Sequence, residues 1–161
     1  MTEKILKGLA LIDYKFKKKP LVLGGLALEY YKIRKTTHDY DYMVSPVDWK
    51  ALKKLHPDKI NLFGGKTETE VDATINLKIN HIDLISTLFQ YNYNFLVKNS
   101  IDFPTYKIIS IENLLLTKTL ASVCNIHSKS IKDQKRIVNY IVKQQYNKKE
   151  KCRKSKKLTI K

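Results

Sequence analysis

The stretch from Leu21 to Ser45 constrains the fold more than any other part of the chain. Leu21-Val22-Leu23 is an apolar run of strand length, and Gly24-Gly25 stops it. From Leu26 to Ile33 the residues Leu26, Tyr30 and Ile33 recur at helical spacing, so the chain passes from strand to helix at the glycines. Arg34 to His38 is a polar turn. Asp39 to Ser45 then reads Asp-Tyr-Asp-Tyr-Met-Val, the alternation of a strand with one face on a core. A strand, a helix and a second strand in so short a span call for a sheet with helices packed on it, of the α/β or α+β class.

The flanking sequence extends that scheme. Residues 1–13 repeat Ile5, Leu6, Leu9 and Ile12 at helical spacing, and Lys15, Lys17, Lys18, Lys19 and Pro20 form a basic loop. Residues 46–55 predict a helix with Trp49 and Leu52 inward, and Ile60 to Phe63 a strand. One or two strands are expected in 71–88, most clearly at His81-Ile82-Asp83-Leu84-Ile85. Residues 89–109 are rich in Tyr and Asn and carry no clear period. Tyr91, Tyr93 and Phe95 there suit base stacking or packing against the core, the core slightly favoured. Ser110 is placed to cap a helix from 111 to about 123. Ser130-x-x-Asp133 has the form of a capping box for a last helix to about 145. The expected organisation is a core over 1–109, a helical part over 110–146, and a tail over 147–161 too charged to fold alone.

Charge narrows the partners. Lys and Arg number 31 against 15 Asp and Glu, a formal net charge of +16. The tail accounts for +7 of this, with eight basic residues and Glu150, and the body is basic as well. Such a field attracts polyanions, so nucleic acid is the expected partner, while a solubilising role of the lysines is the plainer alternative. No apolar run has the roughly 20 residues that span a bilayer, so no membrane partner is expected. The two cysteines have no CxxC spacing, and the N-terminus lacks a signal peptide's apolar region. Together these predict a cytoplasmic, intracellular chain.

The chemistry concentrates on three acids. Period-2 geometry puts the carboxylates of Asp39 and Asp41 on one face of their strand. Two carboxylates so placed repel unless a cation lies between them, and hard oxygen donors suit Mg²⁺ together with substrate phosphates. Asp83, flanked by Ile82 and Leu84, is an acid inside an apolar strand, which is costly unless it reaches a cavity or a partner. If its strand neighbours that of Asp39, three carboxylates converge on a site for two-metal phosphoryl transfer. A Gly-Gly turn before a helix allows backbone N–H groups to approach phosphate closely.

The segment Leu21-Val-Leu-Gly-Gly-Leu-Ala-Leu-Glu-Tyr-Tyr-Lys-Ile-Arg-Lys-Thr-Thr-His-Asp-Tyr-Asp-Tyr-Met-Val44 resembles the signature of the DNA polymerase β-like nucleotidyltransferase superfamily, and most the AbiEii-type toxin nucleotidyltransferases. Ser110-Ile-Glu-Asn-Leu-Leu-Leu-Thr-Lys118 and Lys132-Asp133 are similar to the later part of that pattern. The resemblance implies the nucleotidyltransferase fold, a small mixed sheet with flanking helices and C-terminal helices. It implies that Gly24, Gly25, Arg34, Thr37, Lys118 and Lys132 serve the nucleotide. It implies that Asp39, Asp41 and Asp83 bind Mg²⁺ or Mn²⁺, with Asp83 the third carboxylate. The implied reaction moves a nucleoside monophosphate from a triphosphate such as ATP to a hydroxyl, on RNA or DNA given the charge. The alternatives are a toxin–antitoxin component acting on a protein partner, and a silent module that only binds nucleic acid. Structural roles stand beside the functional ones: Asp133 as a capping acid, Lys118 on a solvated helix face, Arg34 on the surface.

Overall fold

A computed structural model of the chain describes residues 2–36, 39–63, 72–77, 81–125 and 128–158. By contact density the chain divides into Met1–Thr117 and Lys118–Lys161. The first unit takes in the opening turns of the helix after Ser110, where Leu114 and Thr117 are buried.

The first unit opens with α1 (Thr2–Ala10), then β1 (Leu21–Val22), α2 (Gly24–Tyr30), β2 (Tyr40–Met43) and α3 (Pro46–Leu55). Ser45 caps α3 by accepting from the Asp48 N–H at 3.3 Å, and Pro46 occupies the first turn, where its missing N–H costs nothing. After a single 3₁₀ turn come β3 (Ile60–Phe63), β4 (Asp72–Leu77) and β5 (Ile82–Ile85). The stretch 89–109, which has no period of its own, closes the unit with small pieces. These are the hairpin β6 (Thr87–Leu88) and β7 (Tyr91–Asn92), the short α4 (Tyr93–Leu96), and β8 (Ile101–Asp102) and β9 (Lys107–Ile108).

The main sheet is mixed, in the order β3-β4-β5-β2-β1-β9-β8. β2 runs parallel to β5 and β1 parallel to β9, while the β1–β2, β3–β4, β4–β5 and β8–β9 pairs are antiparallel. Leu21, Val22, Leu26, Leu28, Tyr42, Met43, Leu84 and Ile108 are fully buried in its core. Each such aliphatic side chain contributes roughly 1.5–3 kcal/mol relative to exposure. Tyr40 and Tyr42 stack with ring centres 6.5 Å apart, and the Tyr42 hydroxyl donates to the Ile5 carbonyl of α1 at 3.0 Å. The tyrosine face of β2 is thus the one α1 covers, which leaves the aspartate face to the other side.

The second unit contains the end of α5 (Ile111–Asn125) and α6 (Ser128–Leu158). Ser110 caps α5 as expected, accepting from the Asn113 N–H at 3.2 Å. Two expectations fail here. α6 already runs at Ser128, so Ser130 and Asp133 lie inside it and form no capping box. Asp133 is fully buried and ion-paired with Lys118 at 3.9 Å and Arg136 at 3.4 Å; its carboxylate is retained for partners in the interior and not for a helix end. The helix also continues to Leu158, through most of the stretch expected to be without structure. From 128 to 158 there is no Gly or Pro, and Lys, Arg, Gln and Glu are good helix formers whatever their net charge. Among the described residues no helix is long and apolar enough to cross a membrane.

Candidate active site

Strand pairing brings together acids that lie far apart in sequence. In the parallel pair of β2 and β5, Asp41 is the register partner of Asp83. Register partners point to the same face, so the two carboxylates project side by side. Asp39 immediately precedes β2 and shares that face by period 2. The Asp83 carboxyl lies above the usual carboxylate range. Burial raises it most, a hydrogen bond from Asn76 partly offsets this, and the charge of Asp39 raises it further. Asp41 and Asp83 therefore stand side by side on two strands, with Asp39 at the head of one of them. Asp39 is exposed, and Asp41 and Asp83 are half-buried.

The sequence contained no sign of Asn76. It is the register partner of Asp83 on β4, and its side-chain Nδ2 donates to Asp83 Oδ1. A row Asn76–Asp83–Asp41 thus crosses three neighbouring strands. An amide within a strand has no charge or spacing signature, and only the register shows that it faces an acid.

Gly24 closes the row on the β1 side. Its φ is +52°, a conformation that a side chain disfavours, and a Cβ there would fall on the Asp41 carboxylate, 2.8 Å from Cγ. The Leu23 N–H donates to the Asp41 carbonyl at 3.0 Å, which fixes the turn to the strand. Glycine is therefore required twice here, once for the backbone and once for the acid seated on it. No side chain caps the start of α2 at Leu23. A Cβ on Gly25 would strike the Thr36 hydroxyl and come within 4.0 Å of Arg34 Nη1. Half-buried Glu29 holds that returning segment in place, accepting from the Thr36 N–H at 3.0 Å and from Lys4 at 3.4 Å. Burial pushes the Glu29 carboxyl up, but the Thr36 hydrogen bond and the Lys4 charge outweigh it, and the net shift is downward.

The expected nucleotide residues divide accordingly. Gly24, Gly25 and Arg34 lie at the turn beside Asp41, with Thr36 added to them. Thr37 lies outside the described residues. Lys118 and Lys132 belong to the second unit, where Lys118 pairs with buried Asp133 and Lys132 is exposed.

Among the described residues, no three His, Cys, Asp or Glu side chains are gathered closely enough to hold a metal ion by themselves. The donor chemistry nonetheless fits a divalent ion. Mg²⁺ takes one or two carboxylates and completes its shell with water and phosphate, and Asp41 and Asp83 are two hard oxygen donors on adjacent strands. A cation beside Asp83 would also offset the burial and the charge of Asp39 that raise its carboxyl.

No family model and no curated protein matches the sequence. Among solved structures, the chain is similar to the solution structure of the antibiotic-resistance factor ANT(2'')-Ia. The identity is 11%, the match covers 99% of this chain and 92% of that one, and the TM-score is 0.51. A crystal structure of ANT(2'')-Ia in complex with adenylyl-2''-tobramycin matches at 13% identity over 87% of each chain, with a TM-score of 0.47. The likeness to the solution structure establishes the fold: a mixed sheet with flanking helices, as in the nucleotidyltransferases.

Proposed function

We propose that this protein is a metal-dependent nucleotidyltransferase that moves a nucleoside monophosphate from a nucleoside triphosphate to a hydroxyl of RNA or DNA. One observation carries the reading: Asp41 and Asp83 are in register on parallel strands, with Gly24 left bare beneath the Asp41 carboxylate. The nucleotidyltransferase fold agrees with it. Asp39, Asp41 and Asp83 would hold Mg²⁺ or Mn²⁺, which when bound offsets the charge of the triphosphate and acidifies the acceptor hydroxyl.

The chain's own residues supply the rest. The turn at Gly24 and Gly25 offers backbone N–H groups to the phosphates at close range, and Arg34 beside Gly25 supplies a positive charge. Asn76 occupies Asp83 Oδ1 and directs the acid's action to its other oxygen. Asp83 accepts the proton of the acceptor hydroxyl. The hydroxyl oxygen then bonds to the α-phosphorus, the bond from that phosphorus to the bridging oxygen breaks, and pyrophosphate leaves. The charge of +16 favours a polyanionic acceptor and disfavours a polycationic one such as an aminoglycoside.

The test is incubation with each labelled triphosphate and Mg²⁺ against total RNA, total DNA and protein. Label should enter RNA or DNA. The Asp39→Asn and Asp41→Asn variants should each abolish transfer with thermal stability unchanged or raised, because one of several repelling carboxylates is neutralised. Full activity in either folded variant would refute the metal-site assignment.

A further inference from the structure

The loop between α1 and β1 is held more firmly than a connection requires. Asp48 of α3 is fully buried, and its carboxylate accepts from the Lys17 N–H at 2.7 Å, the Lys18 N–H at 3.1 Å and the Tyr14 hydroxyl at 3.0 Å, with the Ser45 hydroxyl as a further donor. A buried carboxylate is tolerated only when its lone pairs are used in this way. On the other side, the Tyr93 hydroxyl donates to the Lys19 carbonyl at 2.7 Å, and the Lys19 ammonium is paired with Asp102 at 2.9 Å. A segment with no helix or strand of its own is thus fixed from both sides. The outcome is that exposed Lys15, Lys17 and Lys18 stand on a backbone fixed in place.

A cleft of about 460 Å³ lies beside them, lined by Leu6, Leu9, Phe16, Lys17, Lys19 and Pro104 among others. Phe16 stands edge-on to Tyr14, with ring centres 5.2 Å apart. Of the acids around the loop, Asp48 is saturated, Asp102 is bridged by Lys19 and Lys107, and Asp13 is exposed at the loop's head. The three lysines keep most of their positive field.

We propose that Lys15, Lys17 and Lys18, with the cleft at Phe16, form a docking site for single-stranded nucleic acid, the strand that carries the acceptor hydroxyl. The lysines match a phosphate backbone, and the apolar, aromatic cleft matches an unpaired base. A duplex keeps its bases stacked and has nothing to place in the cleft. Five residues lie between Lys18 and Gly24, so the end of the loop lies within about 20 Å of the glycine beneath the Asp41 carboxylate, several nucleotides of strand. Only the strand's role as acceptor rests on the nucleotidyl-transfer reading; the binding does not.

Fluorescence anisotropy on the full chain, without nucleotide or metal, tests this with a short labelled single strand, as RNA and as DNA, and with its duplex. In the Lys15→Ser/Lys17→Ser/Lys18→Ser variant, the slope of log affinity against log salt should fall by about 2, from three lost contacts at roughly 0.7 each. Its melting temperature should not change, because the three side chains are exposed. Phe16→Ala should weaken single-strand binding roughly tenfold and leave duplex binding as it was. An unchanged salt slope would overturn the site. So would equal losses for single strand and duplex in Phe16→Ala, or displacement by polyglutamate as readily as by unlabelled strand, the result expected of a non-selective patch or a protein partner. Asp39→Asn should bind as the parent does, so loss of transfer and loss of docking are read separately. A stronger response of RNA or of DNA identifies which strand is carried.

Discussion

Replacing Gly24 by alanine tests the site more sharply than removing any of its acids. The backbone there has φ +52°, where a β-carbon costs roughly 1–2 kcal/mol. For a chain of this size that corresponds to a fall in melting temperature of about 2–8 °C, a folded but weakened protein. The new methyl would also fall on the Asp41 carboxylate, 2.8 Å from Cγ, where ordinary contacts between such atoms exceed 3.4 Å. Because Asp41 is held in register by β1 and β5, the side chain must yield and the carboxylate swings aside by on the order of 1 Å. A displacement of that size at a reacting centre lowers the rate by on the order of a hundredfold. The assay is label transfer at saturating triphosphate and Mg²⁺, run beside a thermal melt. Gly25→Ala is the control: its new methyl meets the Thr36 hydroxyl instead of an acid, and trimming Thr36 to alanine should restore it. The same trimming should not restore Gly24→Ala. A folded Gly24→Ala protein with activity within a few-fold of the parent would show that the Asp41 carboxylate is not where the chemistry occurs.

The remaining predictions concern the acids, their amide and the tail. A carboxyl raised in the folded state holds its proton more tightly there than in the unfolded chain. Asp83 therefore contributes stability below its ordinary value of 3.8 that is lost as pH climbs through the raised value. Melts of Asp83→Asn against the parent without metal should show the variant's advantage growing with pH over that window; a pH-independent difference would refute the burial of Asp83. Added Mg²⁺ should then stabilise the parent at neutral pH and leave Asp83→Asn unmoved. Asn76→Ala should weaken Mn²⁺ binding, read by electron paramagnetic resonance, or transfer, by roughly 10–100-fold with little change in the melt, and unaltered metal binding and transfer would show that Asn76 only fills space. Deleting 147–161 should lower the salt slope of nucleic-acid binding by about 3 and spare kcat at saturating acceptor. A lost kcat would show that the end of α6 supports the catalytic unit.

What could be seen in the sequence, and what could not, separates by the range of the interaction. The passage from β1 through Gly24-Gly25 into α2 and on to β2 is written in local terms, a run, a breaker and two periods, and the order forms as those terms place it, though α2 takes in both glycines and stops at Tyr30 and β2 spans only Tyr40–Met43. The face on which Asp41 stands, opposite Tyr40 and Tyr42, was legible for the same reason, since period 2 needs no partner. The neighbourhood of Asp83 was legible only as a condition, because the pairing of β2 with β5 closes a long loop and register across it has no local signature. Asn76 fell wholly outside that reach: nothing distinguishes it from other strand amides until β4 sets it against Asp83. Ser130 and Asp133 show the opposite failure. Residues three apart meet on any turn of a helix, so a capping box and an interior ion-pair position have the same spacing, and it was the burial of Asp133 beside Lys118 that decided between them. The tail makes the same point through propensity. Net charge opposes a compact core, but a helix needs only hydrogen bonds along its own backbone, so a stretch of Lys, Arg and Glu without Gly or Pro can stay helical where it could not form a fold. Glu29 and Thr36 complete the argument from the other side. Both lie inside the segment that carries the signature, yet what makes them matter is a hydrogen bond between a helix and the loop that leaves it. That bond holds the segment that sets Thr36 and Arg34 against Gly25, a contact that neither residue's identity announces.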